Sequence, residues 1–434
     1  MLRIMTSNMD NAHISSKIDN WHDIDWKVVN REVTKLRYRI FTSCKNRKFK
    51  KVRSLQRLML RSKSNLLLSI RRITSINAGK VTAGVDSMIV LEPKQKLDLF
   101  HIMAESKMDD WNPRPVRRID IPKPDGRQRP IGIPTIRDRI LQAMVKNALE
   151  PQWEFQFEDS SYGFRPARSV DDAMNRLYVS LSKQKRMWIV DADIKGCFDS
   201  ISHDYLMEAV KFFPGKNIIG KWLKAGIMEE GVVIDSTGTP QGSIVSPLLC
   251  NIALHGLEKE IFVKRRTIEY VEGPRLLVRY ADDFVVLWTD YSVAQDTLED
   301  VQCASKKRVL KLAENKTRIV NLVDGFNFLG YTVQLQARDG VNPKDLFIPY
   351  MDGPIRDYQV VDGSKALLII KPSKKSIDSL KSKIKEVFSD NKQTRVSNLI
   401  KTLNPILRGW ALSKNCWHSN RTFHDIDNYI FDLC

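Results

Sequence analysis

Leu276-Leu-Val-Arg-Tyr280-Ala-Asp-Asp283-Phe-Val-Val-Leu-Trp288 sets two apolar runs on either side of a short acidic link. The runs predict strands, and the link predicts the tight turn of a hairpin crowned by Asp282 and Asp283. Adjacent carboxylates repel unless a cation lies between them and lowers both pKa values, and the usual cation is Mg²⁺, which takes hard oxygen ligands. The same residues also suit an exposed turn, because Asp favours turns for its own local hydrogen bonds. A second acidic strand favours the metal. Met187-Trp-Ile-Val-Asp191-Ala-Asp193-Ile-Lys-Gly-Cys-Phe198-Asp199 reads as a buried strand entering a turn, and period-2 geometry puts Asp191 and Asp193 on one face. A cation could bridge either of them and the hairpin; chemistry alone does not choose. Paired Mg²⁺ ions about 4 Å apart are the standard device for in-line nucleotidyl transfer.

Gly238-Thr-Pro-Gln-Gly-Ser243, with Ser246-Pro247 beyond it, opens an apolar helix expected from about Pro247 to Glu258. Glycines there let backbone approach a ligand closely, and a helix start suits a phosphate or a base edge. Further upstream, Arg118 to Pro122 and Arg129 to Ile133 flank Asp125-Gly126, a strong hairpin signal that would present Lys123 and Arg129 to one polyanion.

The formal net charge of +19 over 434 residues implies a polyanionic partner. Between Lys27 and Lys80 stand 17 Lys and Arg against the single acid Glu32; from Lys365 to Arg421 there are 13 against Asp378, Glu386 and Asp390. The rest of the chain is therefore net acidic. Two basic flaps around a region able to hold metal suit a machine that grips nucleic acid from two sides. The six cysteines show no CxxC spacing, so reduced thiols in a cytosol-like compartment are expected. No apolar run approaches the roughly 18 residues of a membrane span.

The ordered blocks resemble the reverse transcriptases of group II introns, intron-encoded proteins that also act as maturases. Besides the two acidic strands and the Gly238–Ser243 loop, the resemblance rests on Asn77-Ala-Gly-Lys-Val-Thr-Ala-Gly-Val-Asp86, Arg118 to Arg139, Ser161-Tyr-Gly-Phe-Arg165, Asn315-Lys-Thr317, Phe328-Leu-Gly-Tyr331 and Leu403-Asn-Pro-Ile-Leu-Arg-Gly-Trp410. It runs from about Trp21 to the last residues. It implies an α+β right-hand polymerase with a basic helical N-terminal extension and an α-helical thumb that is also the maturase domain. The expected division is a disordered stretch at 1–20, the extension and start of the fingers at 21–115, fingers at 116–185, palm at 186–333, an insertion at 334–364 and the thumb at 365–434. Helices are expected at 292–310, 377–389, 395–410 and 422–431, and the insertion should hold loops and hairpins.

The resemblance also implies roles. Asp193, Asp282 and Asp283 would form the metal-binding triad for two Mg²⁺ ions, with the carbonyl of Ile194 as an extra ligand; Asp193 is preferred over Asp191 because Phe198 then falls five residues on. Phe198 resembles the steric gate against a ribose 2′-hydroxyl. Lys123 and Arg129 would hold the incoming dNTP, Gln241 and Gly242 would lie along the templating base pair, and Lys316 resembles the proposed general acid for pyrophosphate. Phe328, Leu329 and Gly330 look like the primer grip. Lys45, Arg47, Lys48, Lys50 and Lys51, with Lys374, Lys375 and Arg408, are the expected RNA contacts. Partners would be a group II intron RNA or another RNA template, a DNA or RNA primer, and dNTPs, in a bacterial cytoplasm or an organellar matrix or stroma.

Three departures from the family pattern stand out. Ser87 and Ser243 replace expected glycines, residues 334–364 are inserted, and the chain stops at Cys434, where relatives often continue into DNA-binding and His-Asn-His endonuclease segments. DNA cleavage by this polypeptide is therefore not expected. Two rival readings are an RNA-binding maturase or chaperone with a vestigial polymerase, and a domesticated relative in repair or phage defence.

Overall fold

Asp25 starts the first long helix by accepting from the backbone N–H of Lys27 and Val28, and Val29, Val33, Ile40 and Cys44 then line its buried side. The computed structural model describes residues 18–122, 128–229, 231–234, 238–239, 241–263, 276–349 and 358–434. Most of the expected disordered N-terminus, the Asp125-Gly126 turn and Lys123 lie outside the described residues, as does Asp352-Gly-Pro354 of the insertion. The chain divides into two units interleaved in sequence: Met1–Glu158, Lys195–Gly256 and Lys306–Leu310 form one, and Asp159–Ile194, Leu257–Ser305 and Lys311–Cys434 the other.

In the first unit the helices Trp26–Lys45, Phe49–Leu60 and Lys63–Arg71 pack on the helix Ile136–Gln156. The basic run from Lys45 to Lys51 is only partly a loop: just Asn46 to Lys48 separate two helices, so Lys50 and Lys51 are helical. Arg47 makes that turn at φ +55°. Strands β1 (Val116–Pro122), β2 (Gln128–Ile133), β4 (Ile227–Glu229) and β5 (Val232–Ile234) form a sheet in the order β2-β1-β4-β5 among the described residues. The single helix expected from about Pro247 to Glu258 is two, Ser246–Leu254 and Leu257–Val263. Gly256 breaks it at φ +83°, and the Glu158 carboxylate takes the Gly256 N–H and sits 3.0 Å from His255 Nδ1.

The second unit holds β3 (Trp188–Asp193), β6 (Leu276–Tyr280), β7 (Asp283–Trp288) and β8 (Arg318–Asn321), hydrogen-bonded in the order β6-β7-β3-β8 with every pair antiparallel. A second sheet orders β13 (Ala366–Pro372), β10 (Tyr331–Ala337) and β9 (Phe326–Phe328), and β11 (Phe347–Pro349) pairs with β12 (Tyr358–Val360). One apolar core serves both larger sheets and the helix Val170–Leu181, through Met174, Leu177, Ile189, Val285, Phe326 and Ile370 among others. The inserted segment begins in a sheet: its first residues extend β10, and Ala366–Pro372, just beyond the insertion and expected to belong to the helical thumb, is the partner strand. The helices Tyr291–Lys307, Lys374–Asp390, Val396–Lys414 and Asn420–Phe431 lie where periodicity puts them. The last three bury Leu380, Ile384, Leu403 and Ile426 against one another. No helix of the described residues is long and apolar enough to cross a membrane.

Candidate active site

Register decides which acids meet. Strand β3 pairs with β7 so that Asp193 lies directly opposite Asp283, while Asp191 lies opposite Val285 on β7 and Arg318 on β8. Tyr280 and Asp283 close the β6–β7 hairpin around Ala281-Asp282. Ala281 stands at φ +59°, an unfavourable place for a side chain. Three contacts hold it there. The chain Ser160–Tyr162 runs beside β6, with Arg279 N–H donating to Ser160 O and Tyr162 N–H to Arg279 O, both at 2.8 Å. Gly163 lies so close that a Cβ on it would stand 2.5 Å from the Ala281 nitrogen. The buried Arg279 guanidinium donates to the Ala281 carbonyl at 3.2 Å.

The electrostatics are those of a charge cluster waiting for a counterion. Burial, and after it Asp191, Asp193 and Asp282, push the Asp283 carboxyl up to about 7. Burial pushes Asp191 up to about 6 against the pull of Arg318, whose Nε is 3.4 Å from its carboxylate. The Lys316 ammonium contacts the Asp193 carboxylate. Beyond β3, Ile194 bridges to Leu312, and the Asp193 carbonyl accepts from the Ala313 N–H at 2.8 Å. Mutually repelling carboxylates are the oxygen donors that a hard divalent cation takes, although among the described residues no three acids, histidines or cysteines converge closely enough to hold one.

A second network lies in the first unit. Arg129, on β2, donates through Nε to Gln241 Oε1 at 2.8 Å, and the Gly132 N–H donates to the Gln241 carbonyl at 2.6 Å. Gly242, at φ +108°, packs so tightly that a Cβ would meet the Gly132 carbonyl at 2.5 Å. Gln142 secures the loop by accepting the Ile244 N–H at 3.1 Å. The Phe198 carbonyl accepts from the Thr239 N–H at 2.6 Å, and the Phe198 side chain is buried. Burial raises the neighbouring Asp199, opposed by Arg118 and Arg129. Arg129, Gln241, Gly242 and Phe198 therefore belong to connected backbone, whereas Lys123 lies outside the described residues.

Of the remaining expected residues, Phe328, Leu329 and Gly330 form the end of β9 and the turn into β10. Lys45, Arg47, Lys48, Lys50 and Lys51 are all exposed on the first unit; Lys374, Lys375 and Arg408 are exposed on the helices of the second. Sequence reasoning assigned no role to Arg279, Gly163, Gln142 or Arg318. Arg279 could have been found, since an arginine inside an otherwise apolar strand needs a buried acceptor.

Comparison with known proteins fits the same segments. Residues 121–333 match the family model for reverse transcriptase (RNA-dependent DNA polymerase), residues 21–103 that for the N-terminal domain of reverse transcriptase, and residues 377–433 that for the group II intron maturase-specific domain. Protein YkfC of Escherichia coli is 32% identical over 314 residues, covering 64% of this chain and 82% of YkfC. The group II intron-encoded protein LtrA of Lactococcus lactis is 31% identical over 303 residues, covering 54% of this chain and 49% of LtrA, so the match spans about half of that relative's length. A telomerase from Candida albicans aligns loosely, with 15% identity and a TM-score of 0.38 over 76% of this chain and 60% of that one. The chain belongs to the group II intron reverse transcriptase and maturase family, α+β proteins of the right-hand polymerase fold whose enzyme class is RNA-directed DNA polymerase.

Proposed function

We propose that this protein copies structured RNA into DNA by two-metal nucleotidyl transfer and binds a group II intron RNA to assist its splicing. The observation that carries the reading is the register of β3 against β7, which sets Asp193 across from Asp283 beside a turn that supplies Asp282. Asp193, Asp282 and Asp283, with the carbonyl of Ile194, would hold two Mg²⁺ ions. Those ions, when bound, would supply charge neutralisation at the reacting phosphate and activation of the primer 3′-hydroxyl.

The chain's own residues do the rest. Arg129, tied to Gln241, and Lys123 beside it in sequence would receive the dNTP triphosphate. Gln241 and Gly242 would lie along the templating base pair. Phe198, anchored through its carbonyl, would close on the sugar and favour deoxynucleotides. Lys316 keeps an ammonium against Asp193 in the protein alone and would serve as the proton donor to pyrophosphate. Phe328, Leu329 and Gly330 would seat the primer end. Lys45, Arg47, Lys48, Lys50 and Lys51, with Lys374, Lys375 and Arg408, would grip the RNA template or intron, in a bacterial cytoplasm or an organellar matrix or stroma.

Primer extension on an RNA template with Mg²⁺ tests the polymerase, and extension must vanish in Asp283→Asn. Splicing of the RNA that surrounds the coding frame, with and without protein, tests the maturase role. A wild type that promotes splicing yet never extends a primer would make this a maturase with a vestigial polymerase; extension without any intron partner would favour a repair or defence enzyme.

A further inference from the structure

A buried cation holds the turn between β9 and β10. Phe328 pairs with Tyr331, so Leu329 and Gly330 form a two-residue hairpin link, and both are left-handed, at φ +51° and +79°. Turns of this hand follow the twist of a hairpin, but the conformation disfavours a leucine by roughly 1–2 kcal/mol. Something must offset that. The Gly330 carbonyl accepts from the Ser373 N–H at 3.0 Å and from Lys414 Nζ at 3.4 Å. Lys414 closes the helix Val396–Lys414, is only 9% exposed, and places Nζ 3.8 Å from the centroid of the Tyr331 ring. Tyr331 in turn donates its hydroxyl to the Ser413 carbonyl at 2.8 Å.

Packing alone does not explain a lysine here. A methionine would cover the Tyr331 ring equally well without burying an ammonium, which costs free energy unless the charge is used. The uses on view are the bond to the turn and the cation–π contact with the Tyr331 ring, which flanks that turn. Burial lowers the pKa of Lys414, and the Asp171 carboxylate opposes that shift by favouring the charged form.

We propose that Lys414 is a positioning residue for the primer: through the Gly330 carbonyl and the Tyr331 ring, the last turn of a maturase-domain helix fixes the turn on which the primer end rests. The inference depends on the reading of Phe328 to Gly330 as the primer grip. It makes the maturase domain part of the polymerase's primer site, and it gives Lys414 a duty at a distance from the chemistry.

The decisive variant is Lys414→Met, which keeps the stem over Tyr331 and removes the donor. Binding of a fluorescent primer–template duplex, followed by anisotropy, should weaken about tenfold, the scale of one charge-assisted hydrogen bond. The KM for primer should rise in parallel, while kcat at saturating primer and the KM for dNTP stay within about twofold. Gly330→Ala presses on the same contact from the other side, since its Cβ would stand 3.0 Å from Lys414 Nζ. It should show the same primer defect, and the double variant should be no worse than the poorer single one. Should Lys414→Met not fold, Lys414→Gln, which also removes the charge while keeping most of the stem, carries the test in its place. Unchanged duplex affinity in the folded variants, a fall in kcat with primer KM unchanged, or additive effects in the double variant would overturn the proposal. Anisotropy needs no turnover, so a wild type that binds duplex and extends nothing would refute the polymerase reading while the role of Lys414 is still judged.

Discussion

Replacing Asp283 with Asn should make the metal-free protein more stable at pH 8 while abolishing extension. The wild-type carboxyl is held near 7 by burial and by Asp191, Asp193 and Asp282. A raised pKa in the folded state contributes stability that is present in full below the unfolded value and lost as pH climbs through the folded one. Between about pH 4 and pH 7 the apo protein therefore loses stability. A shift from 3.8 to about 7 at about 1.4 kcal/mol per pH unit sets an upper limit on the order of 4 kcal/mol, shared with the neighbouring acids that help cause it. Asn is nearly isosteric and carries no charge, so the variant should recover roughly half of that or more at pH 8 and almost none below about pH 4, where the wild-type carboxyl is protonated in both states. Unfolding of two units need not be one transition, so the quantity to follow is the pH dependence of the melting temperature in EDTA for wild type against variant. The expected pattern is a gap of several degrees at pH 8 that narrows through pH 5 and closes near pH 4. Mg²⁺ should raise the wild-type melting temperature most at high pH, because binding releases the Asp283 proton, and should do little for the variant. A variant destabilised equally at both pH values would refute the charge-cluster argument whatever its activity.

Other changes bear on separate parts of the site. Phe198→Ala should admit ribonucleotides, raising their use relative to deoxynucleotides by at least about tenfold in single-nucleotide extension; unaltered discrimination would make Phe198 an ordinary core residue. Gly163→Ala should cut extension by about two orders of magnitude, because its Cβ would stand 2.5 Å from the Ala281 nitrogen and 2.9 Å from the Tyr280 carbonyl carbon, and the acidic turn must move to make room. Near-normal kcat in that variant would show that the turn adjusts freely. Neutralising Lys45, Arg47, Lys48, Lys50 and Lys51 together should lower the slope of log RNA affinity against log salt by roughly 0.7 to 0.9 for each phosphate that these cations neutralise. An unchanged slope would mean a merely solvated basic face.

The acidic hairpin was legible because a short charged link between two apolar runs is a local pattern, and so were the helices of the maturase domain. What was not legible was register. Asp191 and Asp193 share a face, and only the long-range pairing of β3 with β7 sets Asp193 rather than Asp191 opposite Asp283. Strand β13 escaped notice for a related reason. Its buried positions alternate, at Ala366, Leu368 and Ile370, but the outward positions Leu367 and Ile369 are apolar too, so the period of two is hidden in a continuous run. Its partner β10 lies some thirty residues back, and no local signal announces the pairing. Gly163 is visible as a glycine, yet the close approach that requires it comes from Ala281, more than a hundred residues later.

Two turns carry most of the proposed chemistry, and both are built against local preference. Ala281 at φ +59° and Leu329 at φ +51° are non-glycine residues in the left-handed region, each disfavoured by roughly 1–2 kcal/mol. In each turn a buried cation donates to a carbonyl of the strained link: Arg279 to Ala281, and Lys414 to Gly330. A hydrogen bond from a charged donor contributes about 1.5–3 kcal/mol net, enough to offset the strain. The arrangement has a mechanistic logic, since a glycine at either place would relax the turn but would also let it wander. A strained link clamped by a buried charge has one position, and aligning a primer 3′-hydroxyl with a triphosphate requires that positional certainty more than it requires stability.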